Sequence, residues 1–182
     1  MQFRNSLQRF YLSYFSRPKS DRVIYRAIRQ QGARRIVEVG IGTAQRAVRM
    51  LEMAGLCSPD ESIHYTGLDQ FESRRCSDGP GVNLKLAHRM LGATGARVRL
   101  LPGEPLALLP AAANASGAAD LLIFSARLDP RELARSWFFV PRLLHEGTQV
   151  FVEGLLPGGR VVTRRIAHDE IRSLAAVRRR AA

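Results

Sequence analysis

The stretch Ile36-Val37-Glu38-Val39-Gly40-Ile41-Gly42-Thr43-Ala44 decides how this chain is read. Ile36, Val37 and Val39 are β-branched and favour extended backbone. The run lacks the apolar–polar alternation of a half-exposed strand, so the strand is expected to be covered on both faces. Gly40 permits a tight turn, and Gly42 removes a Cβ where a ligand can approach the backbone. Residues 44–54 follow at once and carry Ala47, Val48, Leu51 and Ala54 on one helical face. A helix that starts behind a glycine bend points free N–H groups and its positive end into the space above the strand.

The same alternation repeats outward from this segment. Residues 63–68, 97–101, 121–124 and 149–152 read as further strands, and 160–166 as a sixth. Helices are expected over 82–91, 106–113, 130–144 and 169–179. Two more, over 5–15 and 20–31, precede the first strand; they are separated at Arg17-Pro18, and Ser20 is placed to cap the second. Short apolar strands separated by helices imply parallel pairing through right-handed crossovers. The expected fold class is therefore α/β: a doubly wound, mostly parallel, Rossmann-like sheet in three layers, α/β/α, with N-terminal helices. Residues 1–34 read as a helical cap and 35–182 as the ligand-binding domain, together one structural domain. The ligand of such a sheet lies outside the carboxyl ends of its strands, where the strand order reverses. That places the loops after Val39, Leu68, Leu101, Phe124 and Val152 around one crevice.

Composition agrees with one globular unit. The chain has 182 residues, 46% hydrophobic and 24% charged, enough to bury a core without a metal or disulfide staple. No apolar run is long enough to span a bilayer. The first residues lack the apolar core and small-residue cleavage site of an export signal. A cytoplasmic protein with no membrane partner is the expectation. Cys57 and Cys76 form neither a disulfide framework nor a zinc signature, and no metal site is expected. The net charge of +12 gathers at the ends. Residues 1–35 hold nine Lys and Arg against one acid, Asp21; residues 161–182 hold six Arg against Asp169 and Glu170; the centre is balanced. Basic ends suit a polyanion such as nucleic acid. Arg outnumbers Lys 26 to 2, so a chain-wide bias that leaves solvated basic faces explains the same charge. The tail, residues 178–182, reads as frayed.

The glycine bend has acidic neighbours. A dinucleotide fingerprint needs a third glycine where Gln45 stands, and no Gly-Lys-Ser/Thr follows for a triphosphate loop. Glu38 stands two residues before Gly40, Asp69 closes the second strand, and Glu104 follows the third. A carboxylate at Asp69 can accept both hydroxyls of a ribose. Glu38 suits a sulfonium or amino group better than a pyrophosphate. Each acid alone reads equally well as a helix cap, a turn residue or an arginine partner. Three in order around one bend favour a nucleoside ligand with a cationic end.

At Glu38, Gly40 and Gly42 the chain resembles the first motif, acid-x-Gly-x-Gly, of the class I S-adenosylmethionine-dependent methyltransferase family; Ala44 replaces the family's third glycine. Asp69 matches the acid that holds the cofactor ribose. Leu101-Pro102-Gly103-Glu104-Pro105-Leu106 resembles the third motif, with Glu104 toward the adenine amino group. The resemblance covers roughly residues 20–155 in element order and is similar in layout to the small O-methyltransferases. It implies S-adenosyl-L-methionine as cofactor, held by Glu38, Gly40, Gly42, Thr43, Asp69, Gln70, Gly103 and Glu104, and a methyltransferase whose acceptor stays open. The family's catalytic motif after strand four is not matched: Phe124-Ser125-Ala126-Arg127 has no acid or His. Ser125, Asp129 and Glu153 are the acceptor-side candidates. His64 and His88 read as structural, His145 as the end of the long helix, and Trp137-Phe138-Phe139 as core. The alternative is a catalytically inactive methyltransferase-like protein that binds nucleic acid through its basic ends. A nicotinamide oxidoreductase is disfavoured by Gln45. Few residues remain after 155 to finish the family's sheet, so either a truncated sheet edge or a homodimer that completes it is the expectation.

Overall fold

The computed structural model describes residues 2–179, with residues 2–5, 77 and 177–179 described by their backbone alone. Of the tail expected to fray, residues 180–182 lie outside the described residues. Six strands form one sheet: β1 (Arg35–Val39), β2 (His64–Asp69), β3 (Arg97–Pro102), β4 (Ala119–Phe124), β5 (Leu144–Leu155) and β6 (Val161–Ile166). Their spatial order is β3-β2-β1-β4-β5-β6. The first five are parallel, and β6 returns antiparallel to β5. The order reverses between β1 and β4. Val39 pairs with both Leu68 and Phe124, so the carboxyl ends of three strands finish level at that point.

Alternation along the central strands fills two cores. Ile36, Leu121, Ile123 and Phe151 face one side, where α2 (Arg22–Gln31), α3 (Gln45–Cys57) and α4 (Leu84–Gly92) pack. Val37, Val39, Leu122, Phe124 and Val150 face the other, against α5 (Leu109–Ser116) and Trp137, Val140, Leu143 and Ile171. Period-two side chains on a doubly covered sheet produce the expected three layers. Trp137 stacks 5.3 Å from Phe124 within the second core. α1 (Gln2–Tyr14) packs outside α2 and α3. No helix of the described residues is long and apolar enough to cross a membrane.

Several elements depart from their expected bounds. The helix expected over 130–144 is α6 (Pro130–Ser136) followed by a 3-10 helix, Trp137–Leu143. Pro141 has no N–H to give and its ring blocks the preceding turn, so an α-helix cannot continue through it. His145 is accordingly not a helix end: it sits in β5, where its ring bonds Asp120 Oδ1 at 3.0 Å. β5 has twelve residues rather than four, because β6 pairs with its second half from Val150 to Leu155. Gly158 and Gly159, at φ of 82° and 78°, form the connecting turn. Ser20 does not cap α2; it lies in a 3-10 turn, Lys19–Asp21, and donates to Asp21 Oδ1. α3 begins at Gln45, one residue later than expected, because Ala44 is left-handed at φ 62°. α7 (His168–Arg179) closes the chain.

Candidate functional site

Two hydrogen bonds fasten the glycine bend to the end of β2. Gly40 donates to Leu68 O at 2.8 Å, and Gly42 donates to Asp69 Oδ2 at 2.9 Å. Gly40 has φ 87°, and a Cβ there would lie 2.8 Å from the Ser125 Cβ, so only glycine lets the β4 loop close against the bend. Gly42 has φ 62°, and a Cβ there would meet nothing nearer than Pro80 O at 3.7 Å. The backbone there is open to a ligand. Ala44 takes the same left-handed conformation with a methyl group, at a cost of about 1 kcal/mol.

Two cavities meet over this bend, sharing Gly40, Gly42, Ser125 and Arg127, and each holds about 320 Å³. The first lies over the ends of β1, β2 and β3 and is walled by Asp69, Gln70, Glu104, Arg74 and Asp129. Asp69 is buried and accepts from the Gly42 and Phe71 N–H groups and from the Arg74 guanidinium. Gln70 donates to Glu104 Oε2 at 2.6 Å. Its own Oε1 and the Arg74 Nε are buried without a hydrogen-bond partner among the described residues. A buried polar atom left without a partner costs about 1–3 kcal/mol, so these two point to groups that a ligand supplies. Gly103, at φ 139°, turns the chain out of β3 and donates to Asp69 O at 2.9 Å.

The second cavity lies toward β4 and β5 and is walled by Thr43, Arg46, Ser125, Glu153, Asp21 and Arg17. Beneath it, the Arg46 guanidinium gathers three carboxyl groups. It holds Glu38 Oε1 at 2.7 and 2.8 Å, bonds Glu153 Oε1, and approaches Asp21 to 4.0 Å. Tyr65 donates to Glu38 Oε2 at 2.6 Å, and the Ala126 N–H donates to Glu153 Oε2 at 3.3 Å. All three acids are buried. Burial pushes the Glu38 carboxyl above its ordinary value of 4.5, although Arg46 and Tyr65 both hold its anion. Burial likewise raises Asp21 above 3.8 against the pull of Arg46, and the Glu153 charge adds to the rise. Burial opposes the charge on Arg46, yet Glu38 and Glu153 outweigh it and keep the guanidinium protonated. Burial, then the Glu38 charge, hold the Tyr65 hydroxyl neutral as a donor. The cavity above also carries Arg17, Arg49 and Arg127, so Arg46 is not the only cation on this side.

The structure thus brings Gly40, Gly42, Asp69, Gln70 and Glu104 to one cavity, with Gly103 at its edge. It places Glu38 beneath the bend, fully buried, rather than on the cleft wall. Ser125 borders both cavities, and Thr43 and Glu153 border the second. Asp129 borders the first and caps α6 by accepting from the Arg131 and Glu132 N–H groups. His64 and His88 are exposed, away from the cleft, and His168 bonds Thr148 O at 2.7 Å. Sequence reasoning did not single out Arg46, Arg74, Tyr65 or Arg127. The signal for the first of these was Asp21: the lone acid in a basic stretch is buried and needs a cation.

No family model matches the chain, and no curated protein matches it in sequence. Among solved structures, cofactor-bound Rv0187 from MTB is similar over 97% of this chain and 76% of its own, at 16% identity and a TM-score of 0.57. MycE methyltransferase from the mycinamycin biosynthetic pathway, in complex with Mg and SAH, is similar over 87% of this chain at 18% identity and a TM-score of 0.45; the match spans only 35% of MycE. The DhpI–SAH complex is similar over 93% of this chain and 84% of its own, at 14% identity and a TM-score of 0.44. The strand order and the likeness to Rv0187 together show a doubly wound, Rossmann-like α/β/α fold.

Proposed function

We propose that this chain is an S-adenosyl-L-methionine-dependent methyltransferase of a still open acceptor. The observation that carries the reading is the cavity over the glycine bend, where Asp69 is fixed by the Gly42 N–H beside the unsatisfied Gln70 Oε1. Asp69 Oδ2 keeps a lone pair beyond the Gly42 N–H, and Oδ1 regains one when Arg74 swings off it, so the carboxylate can then accept a ribose diol. Gln70 Oε1 can accept from an adenine amino group or a hydroxyl, with Glu104 next to it and Gly103 shaping the loop. Gly40 and Gly42 let the backbone come close, and Thr43 stands at the start of α3, where the helix dipole is positive. Glu38 acts through Arg46 rather than by contact. Asp21 and Glu153 are the carboxyl groups on the second cavity's wall that a cationic end of the ligand can face. When bound, the cofactor supplies a methyl group on a sulfonium, transferred by in-line displacement. The fold neighbour Rv0187 is itself cofactor-bound.

Methyl transfer of this kind depends on positioning. Ser125, on the border of the two cavities, and Glu153, in the second, are the residues we assign to the acceptor; Asp129 is committed to capping α6 and is the weakest of the three. Cys57 and Cys76 are unpaired thiols, which fits a cytoplasmic location. Titration calorimetry with S-adenosylhomocysteine tests the reading. Saturable heat that Asp69→Ala weakens at least about tenfold is expected, a change of about 1.4 kcal/mol. Folded wild-type protein that gives no heat overturns it.

A further inference from the structure

α1 and the turn that follows it pack one leucine and two serines inward. Leu12, Ser13 and Ser16 are buried, and the two serine hydroxyls turn back to Arg9 O and Leu12 O at 2.8 and 2.6 Å. On the opposite side, Leu7, Phe10, Tyr11, Tyr14 and Phe15 are exposed, from 39% for Tyr14 to 71% for Leu7. Their spacing of i, i+3, i+4, i+7 and i+8 makes a single stripe along the helix. A helix that faces only water places such a stripe on the core. Here five large side chains present roughly 500 Å² outward, at the upper end of what a monomer exposes.

Charge decides what covers this stripe. The first 35 residues hold nine Lys and Arg and one acid, and that acid, Asp21, is buried. Arg17 and Lys19 are exposed directly after the stripe. Arg29 of α2 lies 5.4 Å over the Tyr14 ring and donates to its hydroxyl; Arg26, one turn away on the same helix, is exposed. A second copy docked through this face would bring two basic surfaces together. It would also bury only roughly 1,000 Å², below the ~1,200 Å² at which stable interfaces begin. The rings pack into one another, with Phe10 5.0 Å from Tyr14 and 5.8 Å from Phe15, both tilted. They form one continuous apolar surface, not the separate open faces on which bases stack.

We propose that α1 seats this chain on an anionic lipid surface. The apolar stripe enters the boundary between headgroups and acyl chains, and the flanking cations meet acidic headgroups. The tyrosine hydroxyls suit the same depth, apolar in body and wet at the tip. The expectation of no membrane partner came from the lack of a spanning segment, which a helix lying in the interface does not need.

Co-sedimentation of the full chain with vesicles tests this. One set is phosphatidylcholine alone; the other contains phosphatidylglycerol as well. Binding to the anionic set at least about tenfold tighter than to the neutral set is expected, weakening as salt rises. Phe10→Ser with Phe15→Ser is expected to lose about tenfold or more of that binding while keeping the melting temperature. Leu7→Asp serves as a second variant with the same expected loss. Equal partition to both vesicle sets, or variants that bind like wild type, overturns the proposal. So does a dimer, or binding to an oligothymidine strand, that the double variant abolishes while vesicles capture nothing. S-adenosylhomocysteine titration of the double variant stays at wild-type affinity if α1 serves only the lipid, which separates this result from the fate of the cofactor reading.

Discussion

Glu38 and Asp69 close neighbouring parallel strands on either side of one glycine bend, yet they are held in opposite ways. Glu38 is wholly buried and answered by side chains, Arg46 and Tyr65, within a group of three acids on one guanidinium. Asp69 is answered chiefly by backbone, the Gly42 and Phe71 N–H groups, with Arg74 lying across it at the edge of an open cavity. The first arrangement is a charged foundation: its members need one another, and removing one strands the rest. The second is a wall that the bend itself positions, with acceptor capacity left for a visitor. An acid at a strand end therefore says little by its identity; what answers it decides whether it serves the fold or the ligand.

Removing the shared cation should separate the two regions most sharply. Arg46→Met leaves three buried carboxyls without their shared cation and is expected to cost about 3–5 kcal/mol, a fall of roughly 6–20 °C in melting temperature for a chain of this size. Calorimetric melting checks it; a loss below about 1 kcal/mol would erase the distinction drawn between the clusters. Asp69→Ala is expected to do the reverse. Its stability cost, about 1–3 kcal/mol for the stranded N–H groups, stays below that of Arg46→Met. Its loss of S-adenosylhomocysteine affinity is the larger, at least about tenfold.

A smaller effect lies in pH. Glu38 and Asp21 titrate above their ordinary values of 4.5 and 3.8 in the folded chain. Between those ordinary values and the raised ones, the folded chain binds more protons than the unfolded chain. Their contribution is therefore greatest on the acid side and is lost as pH rises through that window. Asp120 behaves oppositely: burial would raise it, but the Arg35 and Arg34 N–H groups and His145 outweigh burial and hold it below 3.8, so its contribution is lost as pH falls. Urea unfolding measured from pH 4 upward should show the first slope, and Glu38→Gln should flatten it. An unchanged slope in that variant would mean that the buried group is not what titrates. The smallest expected change is a gain. Ala44→Gly relieves a left-handed methyl-bearing residue and is expected to stabilise by up to about 1 kcal/mol, seen as a rise of a few degrees in melting temperature.

Most of the architecture was legible in the sequence because its physics is local. Ile36-Val37 and Leu121–Phe124 are apolar runs that only a doubly covered strand accommodates, and Gly40 and Gly42 mark the bend by the absence of side chains. Pro141 was legible too, but its effect was overlooked in a run of helix-forming residues. The long β5 was not legible locally, because its start is set by Leu144 pairing with Ala119 across a shift in register, which composition does not mark. The site was readable only in part. Asp69, Gln70 and Glu104 sit at strand ends, and the alternating strand–helix pattern carries such positions to one crevice. Arg46 and Arg74 could not be found among 26 arginines, since what distinguishes them is burial against an acid, which packing decides and no local pattern marks. The inward serines of α1 were hidden for a related reason: periodicity gives a helix its two faces, and contact decides which one the core takes.

Diffraction from crystals grown with S-adenosylhomocysteine tests the central claim most directly. The account predicts the nucleoside over Gly40–Gly42, its ribose on Asp69 and its base beside Gln70 and Glu104, with Glu38 still buried under Arg46. A ligand bound elsewhere, or a cleft still closed by Arg74 on Asp69 at saturating ligand, would contradict it.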